Sequence, residues 1–571
     1  MRFYFFILLS LFLFIVSVAA QFPQTPFEQS GGKRSATYWQ CIEFYKALDS
    51  ASDKISIDEA GLTDAGLPLH IVTFHASGNY GEKNNFRVLI NNSIHPGEPD
   101  GMDACMMLMR DLASGKTTIP GHVQLSVIPV YNIGGALNRG SYSRVNQVGP
   151  AAYGFRGNAQ NLDLNRDFTK NDSYEAQSFA RIFHRVKPQV LIDNHVSDGA
   201  DYQHTMTLLS TQYDKLGAQL GSYMRDSLDP AIYRKMAQKG WPMIPYVNFE
   251  ESDPRKGWTA FYDPPRFSAG YAALFGTIAY TPETHMLKPF KQRVESTYDL
   301  MCVIIRESAR RAGEISRRMK ADAERQAADR LFPLSWKPDT IQASYYTFRG
   351  YEPVYKKSEV TGQQRLYYDR SKPFTATIPI YDRYMPEQVV KAPVMYIIPQ
   401  GWHKVIDRLK LQDIEMRQFD KDQEMDVTAY HIDDYKTLNR AYESHYKHYD
   451  IKVTPFNAKV NIRKGDYYIY TAQQHARFIV EMLEPAGDDS YFAWNFFDAV
   501  LQQKEGYSDY RWEDVAAAYL KEHPGVKKQL EEKKKNDPAF AKDAAAQLKF
   551  VYQHSPWYEP EHLRYPVFRV E

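Results

Sequence analysis

The chain has 571 residues, 43% hydrophobic and 24% charged, a globular composition that excludes a mainly disordered or collagen-like protein. Its 70 Lys and Arg against 69 Asp and Glu leave a formal net charge of +1, so no overall basic field draws nucleic acid or an anionic membrane, and nucleic acid is not an expected partner. Three cysteines, Cys41, Cys105 and Cys302, are too few for a disulfide scaffold, allow at most one intrachain disulfide and match no cysteine-based zinc spacing.

Residues 1–20 (MRFYFFILLSLFLFIVSVAA) carry Arg2, an apolar run to Val16 and small residues at Ser17, Ala19 and Ala20. That pattern predicts a signal peptide cut near Ala20 and a secreted or periplasmic mature chain, because the run is short for a spanning helix. No later stretch is apolar for long enough to cross a bilayer, so no membrane span is expected after cleavage.

A first domain is expected over 21–331. From Pro68 to Met286 short β-branched runs alternate with amphipathic stretches, which predicts an α/β fold with a mixed, largely parallel sheet and helices on both faces. Strands are predicted over 69–74, 86–91, 124–130, 189–192 and 277–281, and helices over 101–112 and 174–186. A helical, increasingly charged stretch over 293–331 closes this domain before Pro333. An α+β accessory region follows over 332–571, β-rich from 340 to 470 and helical from 472 to 550. Its tyrosine-rich segments, YESHYKHYD and DYYIY, read as sheet surface.

Chemistry gathers at predicted strand ends. His95 and Glu98, in HPGE, lie between a strand and a helix, where ligands bind in open α/β sheets. A tight turn at Pro96 and Gly97 brings an imidazole and a carboxylate toward one point, a pair suited to zinc. Such a pair is weak alone, but PQVLIDNHVSDG ends a second strand in His195, and TIAYTPETHM delivers Glu283 to the same edge. Two histidines and one glutamate leave a fourth zinc position open, and Glu283 is placed to take a proton from water.

In HPGE, NLDLNRDF, DNHVSDG and PETHM, in that order, the chain resembles the zinc carboxypeptidase family of carboxypeptidase A, as a secreted, bacterial-type member with a C-terminal extension. The resemblance covers roughly 38–310. It implies one zinc ion held by His95, Glu98 and His195, with Glu283 as general base. It further implies that Asn165 and Arg166 grip a substrate's terminal carboxylate, that Asp163 supports His95 from behind, and that Arg144, rather than the nearby Arg139, steadies the oxyanion. The family's mobile tyrosine corresponds to Tyr262 or Tyr271, with Tyr262 preferred on spacing. The terminal side chain's pocket falls within DPPRFSAGY, with Arg266, Ser268 and Ala269 all open as its base.

The implied activity is a secreted zinc metallocarboxypeptidase acting on peptides with a free C-terminus. The same residues would serve a zinc amidase or peptidase acting on cell-wall peptide stems or acylated small molecules. A third reading is a non-catalytic binding module, which the presence of every key residue type disfavours.

Overall fold

The computed structural model describes residues 22–76, 85–247 and 253–571, so the predicted signal segment lies outside the described residues. The strands of its first half are β1 (Ile55–Leu62), β2 (Pro68–His75), β3 (Phe86–Asn91), β4 (Val123–Ile128), β5 (Val190–Asp193), β6 (His195–Ser197), β7 (Met206–Ser210), β8 (Ile244–Pro245), β9 (Trp258–Thr259) and β10 (Ile278–His285). All but β9 form one mixed sheet in the order β1-β2-β4-β3-β5-β10-β7-β8, with β6 beside β10. The central run β4, β3, β5, β10 is parallel.

Alternation along the central strands sends side chains to two cores. Val88, Ile90, Val190 and Ile192 pack with Cys41, Met109 and Ile304 from helices Tyr38–Ala51, Asp100–Ala113 and Phe290–Arg310. Leu89 and Leu191 face the other way, onto Phe179 and Phe183 of helix Tyr174–Val186 and Ala272 of helix Ser268–Leu274. The second core does not stop at the first half of the chain: Phe332, Tyr396, Phe478 and Tyr565 belong to it. The C-terminal region is thus packed onto the sheet's helical layer.

Two of the predicted elements change shape in the structure. The last strand, expected over 277–281, runs on to His285 because β6 and β7 flank it and pair with its second half. The helical stretch over 293–331 breaks at Arg311 into Phe290–Arg310 and Ala312–Asp329. Helix Ala312–Asp329 ends with Arg330 in the left-handed region.

In the C-terminal region the strands are β11 (Leu331–Pro338), β12 (Ser344–Lys357), β13 (Gln364–Tyr381), β14 (Tyr384–Lys391), β15 (Met395–Ile398), β16 (Arg417–Gln418), β17 (Gln423–Thr437), β18 (His448–Ile462), β19 (Tyr467–Tyr470) and β20 (Phe568–Val570). Antiparallel hairpins β12-β13 and β17-β18 dominate it. β13 also pairs with β9, and β20 brings the chain's end back between β15 and β17. Helices Asp509–Glu522, Pro524–Asn536 and Ala544–Gln553 enclose a small core of their own around Trp512, Leu530 and Tyr552. Cys41, Cys105 and Cys302 are buried free thiols. No described helix is long and apolar enough to cross a membrane.

Candidate metal centre

Three neighbouring parallel strands present their carboxyl ends at one sheet edge. The chain leaves β3 at Asn91, turns at Ser93 in the left-handed region (φ 58°), and closes a tight turn with the Glu98 N–H donating to the His95 carbonyl at 2.8 Å. Gly97 leaves room in that turn for Arg144, whose Nε would lie 2.2 Å from a Cβ there. Helix Asp100–Ala113 follows at once. Asp100 anchors it by pairing with the fully buried Arg293 at 2.8 Å and accepting from Thr284 Oγ1 at 2.6 Å, which ties the turn to β10.

On the adjacent strand end, the Val196 N–H donates to Glu98 Oε2 at 2.8 Å and His195 Nδ1 lies 3.1 Å from the same oxygen. His95 Nδ1 is 3.1 Å from Glu98 Oε1 but makes no hydrogen bond, leaving a buried nitrogen unpartnered. One ligand atom from each of His95, Glu98 and His195 falls within 4.8 Å of the others, and all three residues are buried. Among the described residues no other group of metal-binding side chains converges in this way.

The far ring nitrogens are also fixed. His95 Nε2 lies 2.9 Å from Asp163 Oδ1, and His195 Nε2 lies 3.1 Å from Asp193 Oδ2. Burial alone would raise the Glu98 carboxyl, but His95, Arg144 and His195 outweigh it and hold Glu98 well below the usual carboxylate range. Burial would likewise lower His195, yet Asp193 and Glu98 outweigh it and raise the imidazole well above its ordinary value. Each buried imidazole thus lies between two carboxylates, Glu98 on one side and Asp163 or Asp193 on the other. Two imidazole nitrogens, one carboxylate, two carboxylates behind the rings and an unpartnered buried nitrogen fit a zinc ion with one open position.

Glu283 stands in direct register with His195 across β10 and β6, so the two side chains share a face. Burial pushes its carboxyl up to about 8, with His195 opposing and Glu98 and Asp193 adding to the rise. Arg144 Nη2 lies 2.7 Å from Glu98 Oε1, whereas Arg139 turns away to the carbonyls of Ser35 and Ala36. Arg166 rests its guanidinium 4.1 Å from the Phe267 ring centroid, and Asn165 Oδ1 accepts from the Ser268 N–H at 3.4 Å. Both follow Asp163, whose carboxylate also accepts from the Asn165 N–H at 3.0 Å.

Tyr262 is not brought into this group. Its hydroxyl donates to Asp488 Oδ2 at 3.2 Å, and Lys215 Nζ lies 3.7 Å from its ring centroid. Tyr271 is fully buried, with its hydroxyl on Gln412. Of the three residues left open for the side-chain pocket, Arg266 is paired with Asp489 at 2.7 Å, Ser268 opens a helix and Ala269 is buried in the second core.

The structure adds two residues that the motifs do not single out. Arg156 donates to Asp163 Oδ2 at 3.0 Å and lies 3.8 Å from Glu98 Oε1, a second guanidinium at the centre. Asp193 is the carboxylate behind His195. An arginine seven positions before Asp163 in the same loop is the only sequence signal for the first, and an aspartate two positions before His195 on one strand face is the signal for the second.

Residues 41–219 match the family model described as zinc carboxypeptidase. The match covers less than half of the chain. Solved structures similar to the chain include a metallo-carboxypeptidase from Burkholderia cenocepacia, 16% identical, covering 48% of this chain and 69% of that one at a TM-score of 0.37. Carboxypeptidase A from Helicoverpa armigera is 14% identical, with 49% and 75% of the two chains covered and a TM-score of 0.38. No curated protein matches the sequence. The matched segment contains His95, Glu98 and His195, while Glu283 and the C-terminal region lie beyond it.

Proposed function

We propose that the protein is a secreted zinc metallocarboxypeptidase that removes residues from the free C-terminus of peptides. The observation that carries this reading is the meeting of His95, Glu98 and His195 at one sheet edge with Glu283 in register beside His195. Zinc, when bound by the three ligands, supplies Lewis acidity, lowering the pKa of water to about 7 and polarising a carbonyl.

The chain's own groups do the rest. Glu283 takes the proton from the attacking water and returns it to the leaving amine, a role that suits a carboxyl whose affinity for protons burial has raised. Arg144 and Arg156, both beside Glu98, offer guanidinium donors to the oxygen that becomes negative; losing one such donor costs about 3 to 4 kcal/mol of barrier lowering. Asp163 and Asp193 keep each imidazole in the tautomer whose Nδ1 faces Glu98. Asn165 and Arg166 hold the terminal carboxylate, for which the planar guanidinium is a better match than an ammonium would be.

Arg166→Ala is the experiment that tests the exopeptidase character. Its kcat/KM is expected to fall by about 10- to 100-fold on peptides with a free C-terminal carboxylate, the worth of a charge-assisted hydrogen bond. The low activity expected on C-terminally amidated peptides should barely change. Equal loss on both substrates, measured by steady-state kinetics, would contradict the carboxylate grip.

A further inference from the structure

The loop joining β17 to β18, residues 438–447, belongs to the C-terminal region yet reaches the turn behind His95. There Glu443 Oε2 accepts from the Asp163 backbone N–H at 2.8 Å. Asp163 is the carboxylate 2.9 Å from His95 Nε2, so Glu443 stands one step behind the group that orients a metal-binding imidazole. Nothing in the segment that matches the family model supplies this contact, since Glu443 lies far beyond residue 219.

The backbone at the loop's tip gives a second, independent observation. Tyr442 and His445 exchange backbone hydrogen bonds at 2.7 and 3.1 Å, which makes Glu443 and Ser444 the two central residues of a tight turn. Both have positive φ, 50° and 64°. Such turns ordinarily place Asn and Gly there, because a side chain in the left-handed region crowds its own backbone. Strain of this kind persists where the surroundings over-determine it, and it clusters at functional sites. Here the Tyr442 ring stacks on Trp494 with centroids 6.0 Å apart, His445 Nε2 lies 2.8 Å from Asp172 Oδ2, and Glu443 holds Asp163. The tip is thus pinned on both sides of the one side chain that reaches the metal centre.

We infer that Glu443 is a positioning residue of the zinc site: by accepting the Asp163 N–H it fixes the carboxylate that orients His95, which makes the C-terminal region part of the metal centre. This rests on the zinc reading proposed above. Because the role is to accept one hydrogen bond, an amide oxygen at the same place performs it, and a glycine does not.

The test compares full-length wild type, Glu443→Gln and Glu443→Gly by zinc competition against a chromogenic chelator, by kcat and KM on a peptide substrate, and by thermal unfolding. Glu443→Gln should stay within about twofold of wild type in zinc affinity. Glu443→Gly relieves the left-handed strain and should unfold at the same or a higher temperature, yet bind zinc about 10-fold more weakly, at the low end of the loss typical for partners outside the ligand shell. Its kcat should fall with little change in KM. Wild-type zinc affinity in Glu443→Gly would overturn the inference, as would a parallel loss in Glu443→Gln or a loss that merely follows a lowered unfolding temperature. Failure of the wild type itself to bind zinc would overturn the zinc reading and this inference with it.

Discussion

Glu283→Gln is expected to lower kcat by about 10²- to 10⁴-fold, the usual worth of a positioned general base, while leaving zinc bound. Glutamine preserves the shape of the side chain and the strand register with His195, but it cannot accept the proton of the attacking water at the operating pH. Glu283 is placed outside the trio of converging ligand atoms, so its replacement should leave metal content near wild type. Steady-state kinetics and metal analysis on the same preparation separate the two effects. Parallel loss of zinc and of rate would make Glu283 a ligand, and undiminished rate would remove it as the base.

His195→Ala should act in the opposite order, on the metal first. It deletes one of three donors and leaves Glu98 and Asp193, both buried, without the imidazole that lies 3.1 Å from each. The loss in zinc affinity should exceed the roughly 10- to 100-fold that removal of an outer partner such as Asp193 costs. Chelator competition measures this without reference to turnover. Zinc affinity close to wild type in His195→Ala would contradict its assignment as a ligand, whatever happened to the rate.

The parts of this centre that can be read from the sequence are those held by strand ends and short turns. His95 and Glu98 are three residues apart in one turn, and His195 and Glu283 each close an apolar run, so local pattern places all four on the same sheet edge. The fold of the first half follows from the same alternation, and helix Tyr174–Val186 has the bounds its sequence pattern predicts.

What the sequence does not show depends on long-range packing. Arg156 reaches Glu98 only because the loop before Asp163 folds back over the centre. Tyr262 has the spacing of the family's mobile tyrosine, but spacing carries no information about Asp488, which lies more than two hundred positions away and holds its hydroxyl. YESHYKHYD reads as sheet surface from its tyrosines. In the structure its first part is instead the turn that carries Glu443 to Asp163, while Tyr446 and Tyr449 are exposed. A contact between residues 163 and 443 has no local signature in either segment. The same holds for the second core, in which helix Tyr174–Val186 and the C-terminal strands pack together.

The most direct test of the central claim is zinc content measured alongside mass spectrometry of a mixed peptide library incubated with full-length wild type and with Glu283→Gln. About one zinc per chain is expected in both proteins, with stepwise loss of C-terminal residues in the wild type alone. Folded wild-type protein that holds no zinc, or that trims the library no faster than Glu283→Gln, would contradict that claim.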